Sequence, residues 1–169
     1  MTVAAPAKDP SKTNLPIAVR RAKASDKEAV LSFATRTWDG WDYIPEVYDD
    51  WLVATDGVLL VATSQADDRP IALTRLAVLS DDEGWLEGIR VDPAVRGRGV
   101  ATNLQIAELA WARAHDLRVL RYMTGQGNEG SLKLGAHHGF AVVGDRRFHG
   151  RPSDDRAGPG DRSSALRQP

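Results

Sequence analysis

The chain has 169 residues, of which 42% are hydrophobic and 27% charged, with a formal net charge of −1. That length and mix fit one domain with a real core, and the balanced charge gives no basic field for nucleic acid. The chain has no cysteine, which excludes disulfides, thiolate metal sites and a cysteine nucleophile.

The N-terminus, MTVAAPAKDPSKTNLP, is polar and proline-rich, with no apolar signal core. Residues 1–16 are expected as a disordered leader. No apolar run approaches the roughly 20 residues of a membrane span. A cytoplasmic location with no membrane partner is therefore the default expectation.

Ile17–Arg21, IAVRR, reads as a first strand. Ser25 followed by Glu28 fits a capping box, which opens a helix carrying Ala29, Val30, Phe33 and Ala34 on one side. Asp39-Gly40 should end it. The next stretch places Trp38, Trp41, Tyr43, Tyr48 and Trp51 within fourteen residues. Pro45 suits the first position of a second helix, Glu46–Leu52. Each aromatic either packs on a sheet or lines a pocket.

Val58–Thr63 and Ile71–Leu79 read as a hairpin, and Trp85–Val91 as the next strand. Thr102–His115 has helical spacing, with Leu104, Ala107, Glu108 and Trp111 on one side. Val119–Thr124 reads as a strand, Asn128–His138 as a helix, and Phe140–Val143 as the start of a further strand. The tail from Arg151, RPSDDRAGPGDRSSALRQP, has almost nothing to bury and is expected to be disordered. The expected domain is therefore 17–150, with a polar tail over 151–169.

Between the fourth strand and the long helix lies VDPAVRGRGVA. A glycine-rich turn at a helix N-terminus offers free backbone N–H groups and a partial positive charge, which together suit an anion such as pyrophosphate. Two arginines can add charge-assisted bonds to phosphate. No Gly-Lys-Ser/Thr closes the loop, and it is not GxGxxG. The alternative is a glycine turn that merely joins strand to helix.

The spacing Arg96-x-x-Gly99-x-Ala101 resembles the (Gln/Arg)-x-x-Gly-x-(Gly/Ala) signature of the GNAT superfamily of N-acetyltransferases. WLEGIRVDP upstream, the long helix, RVLRYMT, Asn128 and LGAHHGF downstream extend the likeness over roughly 17–148. WDYIP, WLEGIRVDP and RGRGVA together loosely resemble the subgroup that includes histidine N-acetyltransferases. The resemblance implies an α/β (α+β) GNAT fold: a mixed, mostly antiparallel sheet of six or seven strands with about four helices. The final antiparallel strand has no good candidate: either the chain is shortened, or a partner, as in a homodimer, supplies the missing edge pairing.

The resemblance also implies acetyl-CoA as cosubstrate. Arg96, Gly97, Arg98, Gly99, Val100 and Ala101 would cradle its pyrophosphate. Ile89, Arg90 and Val91 would border the pantetheine arm and aim a backbone N–H at the thioester. Asn128 and Ser131 would hold the arm from the next helix, although Asn128 also reads as a plain helix cap. The acceptor would be the primary amine of a small molecule, such as the α-amine of a free amino acid, bordered by Trp38, Trp41 and Tyr43.

Glu87 is the one carboxylate of its expected strand, and the resemblance places it where many GNAT enzymes carry a general base. Its alternative is an ion pair with Arg75 or Arg90. Many relatives carry a tyrosine, acting as general acid, where this chain has Gly135. Tyr122 and Tyr43 are among the nearest substitutes, and Tyr122 is the catalytic candidate. No metal site is expected, since His137 and His138 lack partners at ligand spacing. The rival function is a non-catalytic acyl-CoA-binding or sensing module, and a second rival is a nucleotide- or phosphate-binding fold.

Overall fold

A computed structural model describes residues 15–35, 37 and 42–145. The chain divides into two units, one ending at Gly139 and one starting at Phe140. The first unit carries all of the described helices and strands.

Strands β1 (Ile17–Arg21), β2 (Gly57–Ser64), β3 (Pro70–Val78), β4 (Glu83–Val91) and β5 (Val119–Arg121) form one sheet in that order. The first four are antiparallel neighbours, and β5 joins β4 in parallel. A parallel neighbour needs a crossover, and helix α3 (Val100–Ala114) provides it. Helices α1 (Lys27–Ala34) and α2 (Ile44–Val53) precede β2, and α4 (Glu129–His137) follows β5.

One core lies between α1, α2 and the sheet. Val30, Phe33, Ile44 and Tyr48 are fully buried against Leu59, Val61 and Leu73. The Tyr48 hydroxyl donates to Lys23 O at 3.0 Å, so burying the ring leaves no orphaned donor. On the opposite side of the sheet, α3 packs against β1 to β4 and buries Val100, Leu104 and Ala112. No helix among the described residues is long and apolar enough to cross a membrane.

The first helix does not start at Ser25 as expected. Ala24–Asp26 form a 3-10 turn, and Asp26 Oδ2 accepts the Lys23 N–H at 2.8 Å while pairing with Arg20 at 2.7 Å. A carboxylate already held by a guanidinium is a stronger acceptor than a serine hydroxyl. The sheet has five strands among the described residues, not six or seven. Phe140–Val143 forms no strand, and Val142 and Val143 are 81% and 90% exposed. A β-branched run becomes a strand only when a neighbour pairs with it and packing covers one face.

Candidate active site

The site is organised by an irregularity in β4. Leu73 lies opposite Arg90, and Arg75 opposite Glu87. Gly88 and Ile89 therefore share a single partner, Thr74, which makes a β-bulge. Gly88 has φ +68°, a conformation that glycine adopts without penalty. A Cβ there would come within 2.6 Å of Trp51 Cζ3, so the indole of α2 rests directly on the bare backbone. Side chains alternate along a strand, so Glu87 and Arg90 would normally face opposite ways. The extra residue turns both toward α2.

Two charged clusters result. Arg75, almost buried, bonds Asp56 at 2.7 Å and also pairs with Glu87, while its guanidinium lies 5.4 Å from the Trp51 ring centre. The ion-pair reading of Glu87 is thus realised, and its side chain keeps 25% exposure. Arg90 forms a fork with Asp42, at 2.6 Å from Nε and 3.2 Å from Nη2. Asp42 also accepts the Ile44 N–H at 2.9 Å and so fixes the start of α2. The guanidinium of Arg90 sits 5.2 Å from the centre of Tyr43, whose ring meets Trp51 edge-on at 6.0 Å. Burial of Tyr43 pushes its phenol above the ordinary range. Trp38 and Trp41 lie outside the described residues.

Pairing of β4 with β5 stops at Trp85 and Arg121, while β4 continues to Val91. The expected strand Val119–Thr124 is thus shorter, ending at Arg121 where its pairing with β4 stops, three residues before the bulge. Ile89, Arg90 and Val91 occupy the part of β4 beyond this divergence. The fork with Asp42 commits the Arg90 side chain to the α2 side.

The β4–α3 loop follows directly. Asp92 accepts the Ala94 N–H at 3.0 Å and opens a short 3-10 turn. Gly97 and Gly99 have φ of +75° and +76°, so both glycines are required by the turn. Gly99 is the N-cap of α3, and no side chain caps the helix. Val100, Ala101 and Thr102 precede the first intrahelical donor, Asn103 N–H to Gly99 O at 3.1 Å. Their N–H groups thus point out of the helix end. Arg96 and Arg98 are exposed beside them.

Across the divergence, Asn128 caps α4 by accepting the Ser131 N–H at 3.2 Å. The cap reading of Asn128 holds and leaves its amide N–H₂ outside that bond. Ser131 O in turn accepts the Tyr122 hydroxyl at 3.3 Å. A Cβ on Gly135 would lie 2.0 Å from Tyr122 Oη. The phenol therefore fills the space that a side chain at position 135 would enter. Among the described residues, no group of three His, Asp or Glu side chains is arranged to hold a metal.

Sequence reasoning named Arg75 as a partner for Glu87 and Trp51 among the aromatics, and it missed Asp42 and the bulge itself. Gly88 was the one available signal, because an isolated glycine within a strand marks a bulge or a close approach. The Arg90–Asp42 contact joins residues 48 apart and leaves no local pattern.

Residues 27–140 match the family model described as "Acetyltransferase (GNAT) family". A histidine N-acetyltransferase of Oreochromis niloticus is 34% identical over 103 residues, which is 59% of this chain and 30% of that protein. The chain thus matches under a third of that relative's length. The structure of AAC(6')-Iy in complex with a bisubstrate analogue, CoA-S-monomethyl-acetylneamine, superimposes with a TM-score of 0.65 at 23% identity, covering 80% of this chain and 97% of that one. A transcriptional regulator from Bacillus halodurans C-125 gives 0.68 at 15% identity, covering 80% and 99%. With the family model spanning most of the chain and the fold shared with these structures, this protein belongs to the acetyltransferase (GNAT) family.

Proposed function

We propose that the protein is an acetyl-CoA-dependent N-acetyltransferase that moves the acetyl group directly to the primary amine of a small molecule. The observation that carries this reading is the uncapped α3 N-terminus behind two left-handed glycines, where β4 parts from β5. Such an end suits a pyrophosphate. Arg96, Gly97, Arg98, Gly99, Val100 and Ala101 form that cradle in the proposal. Ile89, Arg90 and Val91 flank the pantetheine arm through their backbone, with Asn128 and Ser131 on its other side.

In the proposed reaction the neutral amine attacks the thioester carbonyl carbon, the C–N bond forms, and the C–S bond breaks. A backbone N–H from Ile89 or Val91 steadies the oxyanion, an effect worth a few kcal/mol at other oxyanion sites. The proton of the amine passes through water to the Glu87 carboxylate, which Arg75 holds in place. The CoA thiolate leaves with the Tyr122 hydroxyl as proton donor. A thiol of pKa about 8.5 departs with limited help, so Tyr122 has the smaller share.

The acceptor proposed is a free amino acid or a similar α-amine. The likeness to a histidine N-acetyltransferase supports it, as does the small aromatic and charged cluster of Tyr43, Trp51, Arg75 and Glu87. An α-amine of pKa about 8 is partly neutral at pH 7 and asks less of a base than a lysine does. Trp38 and Trp41 belong to this acceptor side of the proposal. So do residues 17–150 as the catalytic domain, a cytoplasmic location, and a homodimer paired along the β5 edge.

The test is release of free CoA from acetyl-CoA across a panel of free amino acids, led by histidine. Turnover with an α-amine, lowered at least tenfold by Glu87→Gln with unchanged CoA affinity, is the expected result. Binding of acetyl-CoA with no turnover for any amine contradicts it and establishes the non-catalytic acyl-CoA-binding module.

A further inference from the structure

Glu108 is a carboxyl group that the proposed reaction does not use. It lies on the face of α3 that packs on the sheet and is 1% exposed. Its Oε1 is 2.7 Å from Thr74 Oγ1, and the same hydroxyl is 3.5 Å from the carbonyl oxygen of Glu87. Thr74 is the residue that faces the bulge at Gly88 and Ile89. A carboxyl group, a hydroxyl and the bulge carbonyl therefore stand in line, from the centre of the helix to the strand of the site.

The hydroxyl has one proton to give. With Glu108 ionised, that proton is drawn to the carboxylate and the Glu87 carbonyl receives nothing from Thr74. With Glu108 neutral, its O–H donates to Thr74 Oγ1 and Thr74 donates onward to Glu87 O. Only the neutral acid satisfies both contacts. Its surroundings favour that form. Of the elements packed on α3, β2 has no titratable residue, and Arg75 of β3 and Glu83, Glu87 and Arg90 of β4 face the other side by register. β1 contributes Arg21 at its exposed end, and on α3 itself Arg113 and His115 are exposed. Burial raises the Glu108 pKa to about 8, and the Thr74 contact offsets only part of that rise.

We infer that Glu108 is a positioning residue for acetyl transfer: as a neutral acid it directs the Thr74 hydroxyl onto the Glu87 carbonyl and holds the bulge in register behind the site. This rests on the acetyltransferase reading. No net proton transfer is involved, because each group donates one hydrogen bond and keeps its proton.

The test compares the pH dependence of kcat in the full chain, wild type, Glu108→Gln, Thr74→Ser and Thr74→Val, with acetyl-CoA affinity measured alongside. Glutamine donates permanently through its amide, so Glu108→Gln should stay within about threefold of wild type at pH 7. It should also lack the fall in kcat that wild type shows as pH rises past about 8. Thr74→Ser should keep activity, and Thr74→Val should lose about tenfold in kcat at neutral pH, the gap from wild type closing above about pH 8, with acetyl-CoA affinity unchanged. The same alkaline fall in wild type and Glu108→Gln overturns the inference. So does an undiminished kcat in Thr74→Val. Absence of turnover in wild type with every amine instead overturns the acetyltransferase reading, and this inference with it.

Discussion

Gly135→Ala is the substitution in which stability and activity should part. The added methyl would lie 2.0 Å from Tyr122 Oη and 2.9 Å from Cζ, so the phenol must swing away. It is the end of a rotatable side chain, and the backbone need not move. The position is within α4, where alanine is favoured over glycine by about 1 kcal/mol. The displaced hydroxyl gives up its bond to Ser131 O, a loss of about 1 kcal/mol. The two nearly cancel, so urea unfolding should give a ΔΔG within about 1 kcal/mol of zero. Activity should fall because Tyr122 no longer reaches its place. A general acid contributes 10²-fold or more in demanding cases. A thiolate leaving group needs less, so a loss of about tenfold to hundredfold in kcat is expected. Tyr122→Phe should show the same loss, and the double variant should show no further loss. A stable Gly135→Ala protein with full kcat would refute the placement of Tyr122.

Three further outcomes follow from the same geometry. Gly88→Ala should destabilise by about 2–4 kcal/mol, combining left-handed strain at φ +68° with a 2.6 Å approach to Trp51. Denaturant unfolding measures this, and a change under 1 kcal/mol would contradict the bulge packing. Glu108 has a folded-state pKa of about 8 against an ordinary 4.5, so between those values the native state holds a proton that the unfolded chain has lost. Its contribution is intact below about pH 4.5 and is lost as pH rises through about 8, at about 1.4 kcal/mol per unit. Urea unfolding of wild type relative to Glu108→Gln over pH 5.5–7.5 should show that slope, and parallel curves would refute it. Gly99→Glu places a carboxylate at the α3 N-terminus in a residue with φ +76°. It should abolish CoA binding in calorimetry while the protein stays folded, at a strain of about 1–2 kcal/mol.

Much of the fold was legible because its signals are local. The β2–β3 hairpin, the α3 pattern and the RGRGVA turn all rest on neighbours within a few residues, and each falls within a few positions of where periodicity puts it. The loop glycines were readable as a pair because only a left-handed turn asks for them. The bulge was less so, since Gly88 states the irregularity but not which side chains it brings together. Arg75 with Glu87, Arg90 with Asp42 and Tyr122 against Gly135 are contacts between distant segments, and no spacing rule encodes them. The Phe140–Val143 reading failed for a related reason: β-branched composition carries no information about whether a pairing partner exists.

The decisive measurement is calorimetric titration of the protein with acetyl-CoA, with desulfo-CoA and ATP as controls. The cradle proposed at residues 96–101 and the divergence of β4 from β5 predict binding of both CoA compounds and none of ATP. Failure to bind either CoA compound, or equal binding of ATP, would contradict the assignment of this loop and strand to acetyl-CoA.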